Sequence, residues 1–371
     1  LGAKENIPYT LIDERMNDLT QRHIGSIYTA SGAPTQHAIV NSNARKVYRS
    51  NIWFFQPGGG GAGFAPDASI SSTQCTFSNP CSGLSQSTIN TINVLAPNAN
   101  FYLSPGNYNV TGLNANNTVI LNNGQSVYGR AAGYILAASG SNRANIQEGM
   151  VLNGNNALDS LQITSTNSKI TSGVFGVNVI GVATDIAATG NITLNNLNLN
   201  VTDNSSGAIA VALIGNNTVN ISNTTAVVNE NNLTSTDGAN GLAIENGGVV
   251  TLNHTNWSVI DNSNSGGTGI VGFNVNALTI NNSIVNATSN VFTAAAIAAF
   301  NNSQINVNNS SLSSLTTNVA GTGNGTIDVF QAASVTVNNS SLYAEDTSSA
   351  NGATNIFVSA SGGALLSITR N

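Results

Sequence analysis

The sequence predicts an all-β solenoid, a parallel β-helix of about 28 residues per coil opened by a capping helix. A polar-centred phrase recurs six times in the second half of the 371-residue chain: ITLNNL at Ile192, VNISNT at Val219, VTLNHT at Val250, LTINNS at Leu278, INVNNS at Ile305 and VTVNNS at Val335. Counted between the second polar residue of each phrase, the steps are 27, 31, 28, 27 and 30 residues. A fixed period of this size is the mark of stacked repeats. The segments between phrases, such as TSTDGANG at Thr234 and NSNSGGTG at Asn262, are poor helix formers, which disfavours the leucine-rich repeat, the other fold with an Asn column at such a period.

With that second polar residue as position zero, each coil resolves into columns. Positions −4 and −2 are apolar throughout (Ile192/Leu194, Val219/Ile221, Val250/Leu252, Leu278/Ile280, Ile305/Val307, Val335/Val337), the alternation of a half-buried strand. Position +3 is apolar too: Leu199, Ala226, Trp257, Val285, Leu312 and Leu342. A third apolar set stands at −12, with Val211, Leu242, Ile270, Ile297 and Ile327, so three short strands per coil are expected. Position zero holds Asn196, Asn223, His254, Asn282, Asn309 and Asn339, and position −8 holds Gly215, Asn246, Asn274, Asn301 and Gln331. Stacked at about 4.8 Å, such amides are expected to bond from coil to coil as a ladder. Asn281, Asn308 and Asn338 match the N-x-S/T glycosylation acceptor, but the register accounts for them as structural residues.

The front of the repeat region is expected to be closed. In QSTINTINVLAPNANFYLSPGNYNV from Gln86, Ile89, Ile92 and Leu95 lie at helical spacing after Ser85 or Ser87 as N-cap. Phe101 and Leu103 then alternate as in a strand, Pro105-Gly106 turns, and Tyr108 opens a further strand. This order resembles the opening of pectate-lyase-like right-handed β-helices, in which a short amphipathic helix plugs the first coil, and the resemblance implies right-handedness here. An open end would expose both core and strand edges.

Charge is scarce, at 7% of residues, with a net charge of −6. No basic surface is available for phosphates, which argues against nucleic-acid binding. No apolar run approaches the roughly 20 residues of a membrane-spanning helix. A signal peptide is absent at Leu1, which reads as a fragment boundary. Cys75 and Cys81 stand close together in CTFSNPC without nearby His or further Cys. A local disulfide, two free thiols and a metal site are the alternatives; a disulfide would indicate an oxidising compartment.

Six of the ten Lys and Arg lie before residue 50, and a Gly-rich stretch, QPGGGGAGFAPDAS, follows at Gln56. The division expected is an N-terminal segment over 1–55, a linker over 56–74 and the β-helix over 75–371. LIDERMNDLTQRHIGSIY from Leu11, with Arg15, Asp18 and Arg22, then RSNIWFFQPG and the Gly-rich linker, resembles the barrel end of inverse autotransporters of the intimin and invasin type. The resemblance implies an outer-membrane translocator barrel upstream and a passenger exposed at a bacterial cell surface or secreted, with a host-cell surface or glycan as partner. The immunoglobulin-like domains usual in that family are replaced here by a β-helix. Leu366, Ile368 and Arg370 fit positions −4, −2 and zero of a further coil, so more coils or a cap are expected beyond Asn371.

Catalytic chemistry is thin. Polysaccharide lyases and hydrolases on this fold carry clustered acids with a basic residue, or GHG and RIK segments; neither segment occurs, and between Leu152 and Thr369 the only basic side chains are Lys169 and His254. Their catalytic residues therefore cannot be carried over, and no cofactor is expected. Position +7 reads Asp203, Glu230 and Asp261 in three successive coils, then Ser289, Thr316 and Asp346. Such a column is a calcium candidate, a pair of acids for glycoside hydrolysis, or simply a row of strand-ending residues with drifting registers. His254 and Trp257 share a coil with Asp261 but fit the amide and apolar columns. Tyr128, Arg130 and Tyr134 in SVYGRAAGY are candidates for stacking against a glycan, or early-coil core residues. The function expected is a surface-exposed or secreted adhesin or stalk without catalysis, the alternative being a polysaccharide-acting enzyme or glycan-binding module.

Overall fold

The computed structural model describes residues 52–58, 75–77, 79–110, 115–169, 182–186, 189–235, 237–317, 324–331, 333–347, 352–359 and 364–369. They form a parallel β-helix of about nine turns and 29 residues per turn, consistent with the right-handed form, with one short helix. Three parallel sheets run its length. The first has twelve strands and the other two have nine each: nine coils contribute one strand to every sheet, and Ile52–Gln56, Cys81–Ser82 and Leu365–Thr369 join the first alone.

The apolar columns meet in register. Ile192, Val219, Val250, Leu278, Ile305 and Val335 are successive partners along the first sheet, as are Leu194, Ile221, Leu252, Ile280, Val307 and Val337. Leu199, Ala226, Trp257, Val285, Leu312 and Leu342 do the same in the second. Val211, Leu242, Ile270, Ile297 and Ile327 line the third. Together they form one continuous core. Trp257, the largest buried side chain, fits because its neighbours are small. Ala226 stacks beside it, and at Gly241 a Cβ would lie 2.4 Å from the Gly269 carbonyl and 3.1 Å from the indole.

The amide columns carry a backbone duty beside the expected ladder. Asn196, Asn223, His254, Asn282, Asn309 and Asn339 all have φ between 44° and 53°, as do Asn246, Asn274, Asn301 and Gln331 between 43° and 58°, with Gly215 at 85°. These are the left-handed corner residues at which the chain leaves one strand for the next. From Asn223 to Asn339 the position-zero side chains are exposed. Asn and His are among the few non-glycine residues that tolerate this conformation, which is why His254 can replace Asn. Position-zero amides also bond from coil to coil at some rungs, Asn339 donating to Asn309 at 2.8 Å, Asn223 to Asn195 at 3.1 Å and Asn196 to Ser160 Oγ at 2.9 Å, and in the −8 column Asn274 donates to Asn246 at 3.4 Å.

Further coil-to-coil ladders run in the flanking columns. One position earlier, Asn338 donates to Asn308 at 2.9 Å and Asn308 to Asn281 at 3.0 Å; Ser222 donates to Asn195 at 2.8 Å and Asn195 to Asp159 at 2.7 Å. One position later stands a ladder of hydroxyls. The backbone N–H of Thr255 donates to Ser283 Oγ, that of Ser283 to Ser310 Oγ and that of Ser310 to Ser340 Oγ, at 3.0–3.1 Å. Each serine in turn donates to the carbonyl two residues before it, at 2.7–2.8 Å. The N-x-S triplets are these three columns read along the chain.

The entrance is closed by the helix Gln86–Leu95. Ser85 Oγ caps it by accepting from Thr88 N, and Ile89 and Ile92 are buried, whereas Leu95 is half exposed. Gln86 pairs its amide with both N–H and C=O of Ile120, at 2.8 Å each. A side chain thus replaces the missing neighbour of the first strand of the third sheet. Cys75 and Cys81 are joined as a disulfide, Cα to Cα 4.4 Å. The boundary expected after Phe55 falls inside a solenoid strand: Ile52–Gln56 pairs with Asn100–Leu103 on one side and Cys81–Ser82 on the other, with Trp53 and Phe55 in the core. The Gly-rich stretch after Gln56 hides this strand's membership of the solenoid in the sequence. Arg15, Asp18, Arg22 and the rest of the barrel-like segment before Ile52 lie outside the described residues, as does most of the linker.

At the corners, backbone geometry and hydroxyl satisfaction make separable contributions. Asn309→Ala is expected to destabilise by about 1 kcal/mol and Asn309→Gly to leave the melting temperature near the parent's. Ser310→Ala, which strands the buried Ser283 N–H, is expected to cost roughly 1 to 3 kcal/mol. Chemical denaturation of the three variants measures both terms.

Candidate functional site

The acidic column keeps its register. Asp203, Glu230, Asp261, Ser289, Thr316 and Asp346 are successive partners in the second sheet. The first three carboxylates do not face an open groove: they are 1%, 0% and 0% exposed. Each ends a strand and ties down the loop after it. Asp203 accepts from the backbone N–H groups of Ser205, Ser206 and Gly207 at 2.6–3.0 Å and from Ser205 Oγ. Asp261 accepts from Ser263 Oγ at 2.7 Å and from Ala239 N at 3.2 Å. Ser289 takes the same role for Phe292 N.

Glu230 is the exception. Its Oε1 accepts from Asn232 N at 2.7 Å, but Oε2 is buried without a donor. Burial raises its pKa to about 8, with the neighbouring Asp203 and Asp261 charges adding to the effect. A protonated Glu230 turns the orphan Oε2 into a donor toward Asp203, so the neutral acid satisfies the site and a third buried negative charge is avoided. Burial also raises Asp261, against the bonds it accepts.

This donor set does not fit calcium. Asp203 already spends its oxygens on loop N–H groups, and Glu230 prefers its proton, whereas a calcium cage needs six to eight free oxygens. Among the described residues no three His, Cys, Asp or Glu are grouped to hold a metal ion. The same burial removes Asp203, Glu230 and Asp261 from the reach of a polysaccharide. His254, nearby in sequence, points outward at its corner, while Trp257 is buried with Nε1 donating to Thr255 Oγ1 at 2.9 Å. They make no joint site with Asp261.

Tyr128, Arg130 and Tyr134 separate into two roles. Tyr134 turns inward at φ 61° and donates to the Phe55 carbonyl at 2.8 Å, packing edge-on against Phe54. Tyr128 stands on the outward face of the first sheet, one rung from Tyr102, and the Arg130 guanidinium lies over both rings, 4.5 Å from the Tyr102 centroid and 5.1 Å from that of Tyr128. Phe54 stands on the rung before Tyr102, and Phe77, 57% exposed, meets it edge-on at 5.6 Å from the disulfide loop. Phe54 and Tyr102 join this patch through strand pairing and Phe77 through the disulfide loop, neighbourhoods that spacing along the chain does not reveal.

A second aromatic feature also escaped the sequence reading. Phe273, Phe300 and Phe330 stack on the outer face of the third sheet with centroids 4.3 and 4.7 Å apart, and Phe357 follows at 5.7 Å. The signal was available: the first three occupy position −9 of successive coils. Their faces are spent on one another. Along the corner of the last coils lies a shallow groove lined by Asn282, Asn309 and Asn339 with the adjoining serines, all neutral.

Glu230 gives the column a pH signature. Its folded pKa, about 8, exceeds the ordinary 4.5. The folded state therefore holds the extra proton, and the stabilisation is complete below about pH 4.5 and lost as pH rises through about 8. Melting temperature is expected to fall between pH 5 and 9, and Glu230→Gln to flatten that slope and exceed the parent at pH 9. Calcium at millimolar concentration is expected to leave melting unchanged. No family model, curated protein or solved structure matches the chain.

Proposed function

We propose that the chain is a surface-exposed or secreted β-helical passenger that acts as an adhesin or structural stalk, without catalysis. The observation that carries this reading is where polarity is placed. From Asn195 onward the outward column that holds Ser222, Asn281, Asn308 and Asn338 is neutral, with rungs bonded to one another, while Asp203, Glu230 and Asp261 are buried as loop ties. Side chains of this kind make a rod that is wettable without charge, and they supply no exposed acid–base pair at a reacting distance.

The disulfide supports an oxidising compartment. The closed entrance and continuous core support a rigid spacer, since each coil is braced by its neighbours. The upstream barrel of an inverse autotransporter belongs to the same reading, through residues before Ile52.

Two measurements test it. Antibody labelling and protease shaving of intact cells carrying the full-length gene are expected to detect the β-helix outside; confinement to the cell interior would overturn the reading. Incubation with acidic and neutral polysaccharides is expected to yield neither new reducing ends nor unsaturated products. Appearance of either would replace the stalk by an enzyme.

A further inference from the structure

We infer that the aromatic face of the first coils binds a carboxylate-bearing saccharide, with Arg130 as its charge partner and Tyr102, Tyr128 and Phe54 as its platform. This rests on the adhesin reading above and supplies it with a ligand class.

Four observations converge on Arg130. Its guanidinium lies over two tyrosine rings, which fixes its plane. Its backbone is pinned as well: Arg130 N donates to the Leu103 carbonyl at 2.8 Å, and the residue bridges Ala137 across the following loop. The Nε is covered and has no hydrogen-bond partner. Among the described residues no carboxylate pairs with it, and none of its terminal N–H groups has a protein acceptor. Arg143 shows the contrast, since its N–H groups are spent on the carbonyls of Leu161 and Asn196 and on the Asn196 side chain. Arg130 is thus a pre-oriented fork with its outer N–H groups unspent. A planar carboxylate is the acceptor that such a fork matches in two parallel bonds.

The surroundings select a saccharide. Phe54, Tyr102 and Tyr128 are consecutive rungs of one outward column, which continues through Asp159 into Asn195 and Ser222. A ligand lying along it meets apolar ring surface first and then oxygen and amide groups at about 4.8 Å intervals, close to the length of a sugar ring. Asp159 bonds Asn195 through one oxygen and Ser160 through the other, and both oxygens keep further lone pairs for hydroxyl donors. Because the rung spacing is fixed by the sheet and the arginine by its stack, little ordering remains to be done on binding.

The test is calorimetric titration of the full chain with oligogalacturonate and with sialyllactose, each beside its neutral counterpart, the methyl ester and lactose. Saturable binding of at least one acidic probe is expected, about tenfold or more tighter than its neutral counterpart. Arg130→Ala is expected to lose about tenfold or more, Arg130→Lys to retain part of the affinity, and Tyr128→Ala to weaken binding with unchanged charge. Should Arg130→Ala fail to fold, Arg130→Gln and Tyr128→Ala carry the same reading. The inference is overturned if neither acidic probe binds, if the neutral sugars bind equally, if Arg130 variants bind as the parent does, or if an acidic peptide competes as well as the sugar. Each of these results leaves surface display untouched, so the site and the stalk fail separately.

Discussion

The rest of the structure depends on how the chain turns between the first and second sheets. A β-helix can stack indefinitely only if each coil bends at the same place without leaving a backbone donor stranded. Here the bend is a single left-handed residue, and the N–H that follows it is caught by a hydroxyl from the next coil. Those two requirements act on adjacent positions. The first selects Asn or His because they bear φ near 50°, and the second selects Ser or Thr because a short hydroxyl reaches both the N–H of the neighbouring coil and the carbonyl two residues before it. Once these are met, the strands on either side are placed in register and the apolar columns fall into the core.

The architecture was legible in the sequence because alternation and period are both local signals. Positions −4, −2, +3 and −12 could be aligned by eye, and each aligned set is a row of strand partners. The amide columns were legible as columns but not in their physics. Asn196 through Asn339 recur for a backbone reason as well as for the rungs they form, and the two leave the same trace in the sequence. The neighbouring amide ladder, Asn281, Asn308 and Asn338, was visible only as a glycosylation-like pattern. Position alone does not say whether a side chain points to a neighbour or simply permits a turn.

The candidate sites show the converse. The +7 register is kept, as a drift-free spacing would require, yet burial inverts its meaning. Acids on a solvated edge would invite a cation; the same acids sealed beneath loops hold backbone N–H groups, and one of them keeps its proton. Stacked carboxylates at strand spacing repel, and the chain relieves this by neutralising the middle member and giving Asp203 and Asp261 several donors each. Burial is a tertiary property that no column count contains. Tyr134 makes the same point in the opposite direction, since its left-handed backbone turns a surface candidate into a buried support for Phe55.

The two ends of the first sheet's outward column therefore differ in kind. From Asn195 onward it is a neutral ladder whose groups mostly satisfy one another, a surface suited to length and indifferent to partners. Before Asp159 it is aromatic, and it is there that Arg130, among the described residues, keeps donors unspent. The disulfide loop, which places Phe77 beside Phe54, closes the same end. Regularity in the rod and irregularity at its entrance follow from one constraint: a repeating coil can use only residues that satisfy their own copies, so a side chain that recognises something else has to stand where the repetition begins.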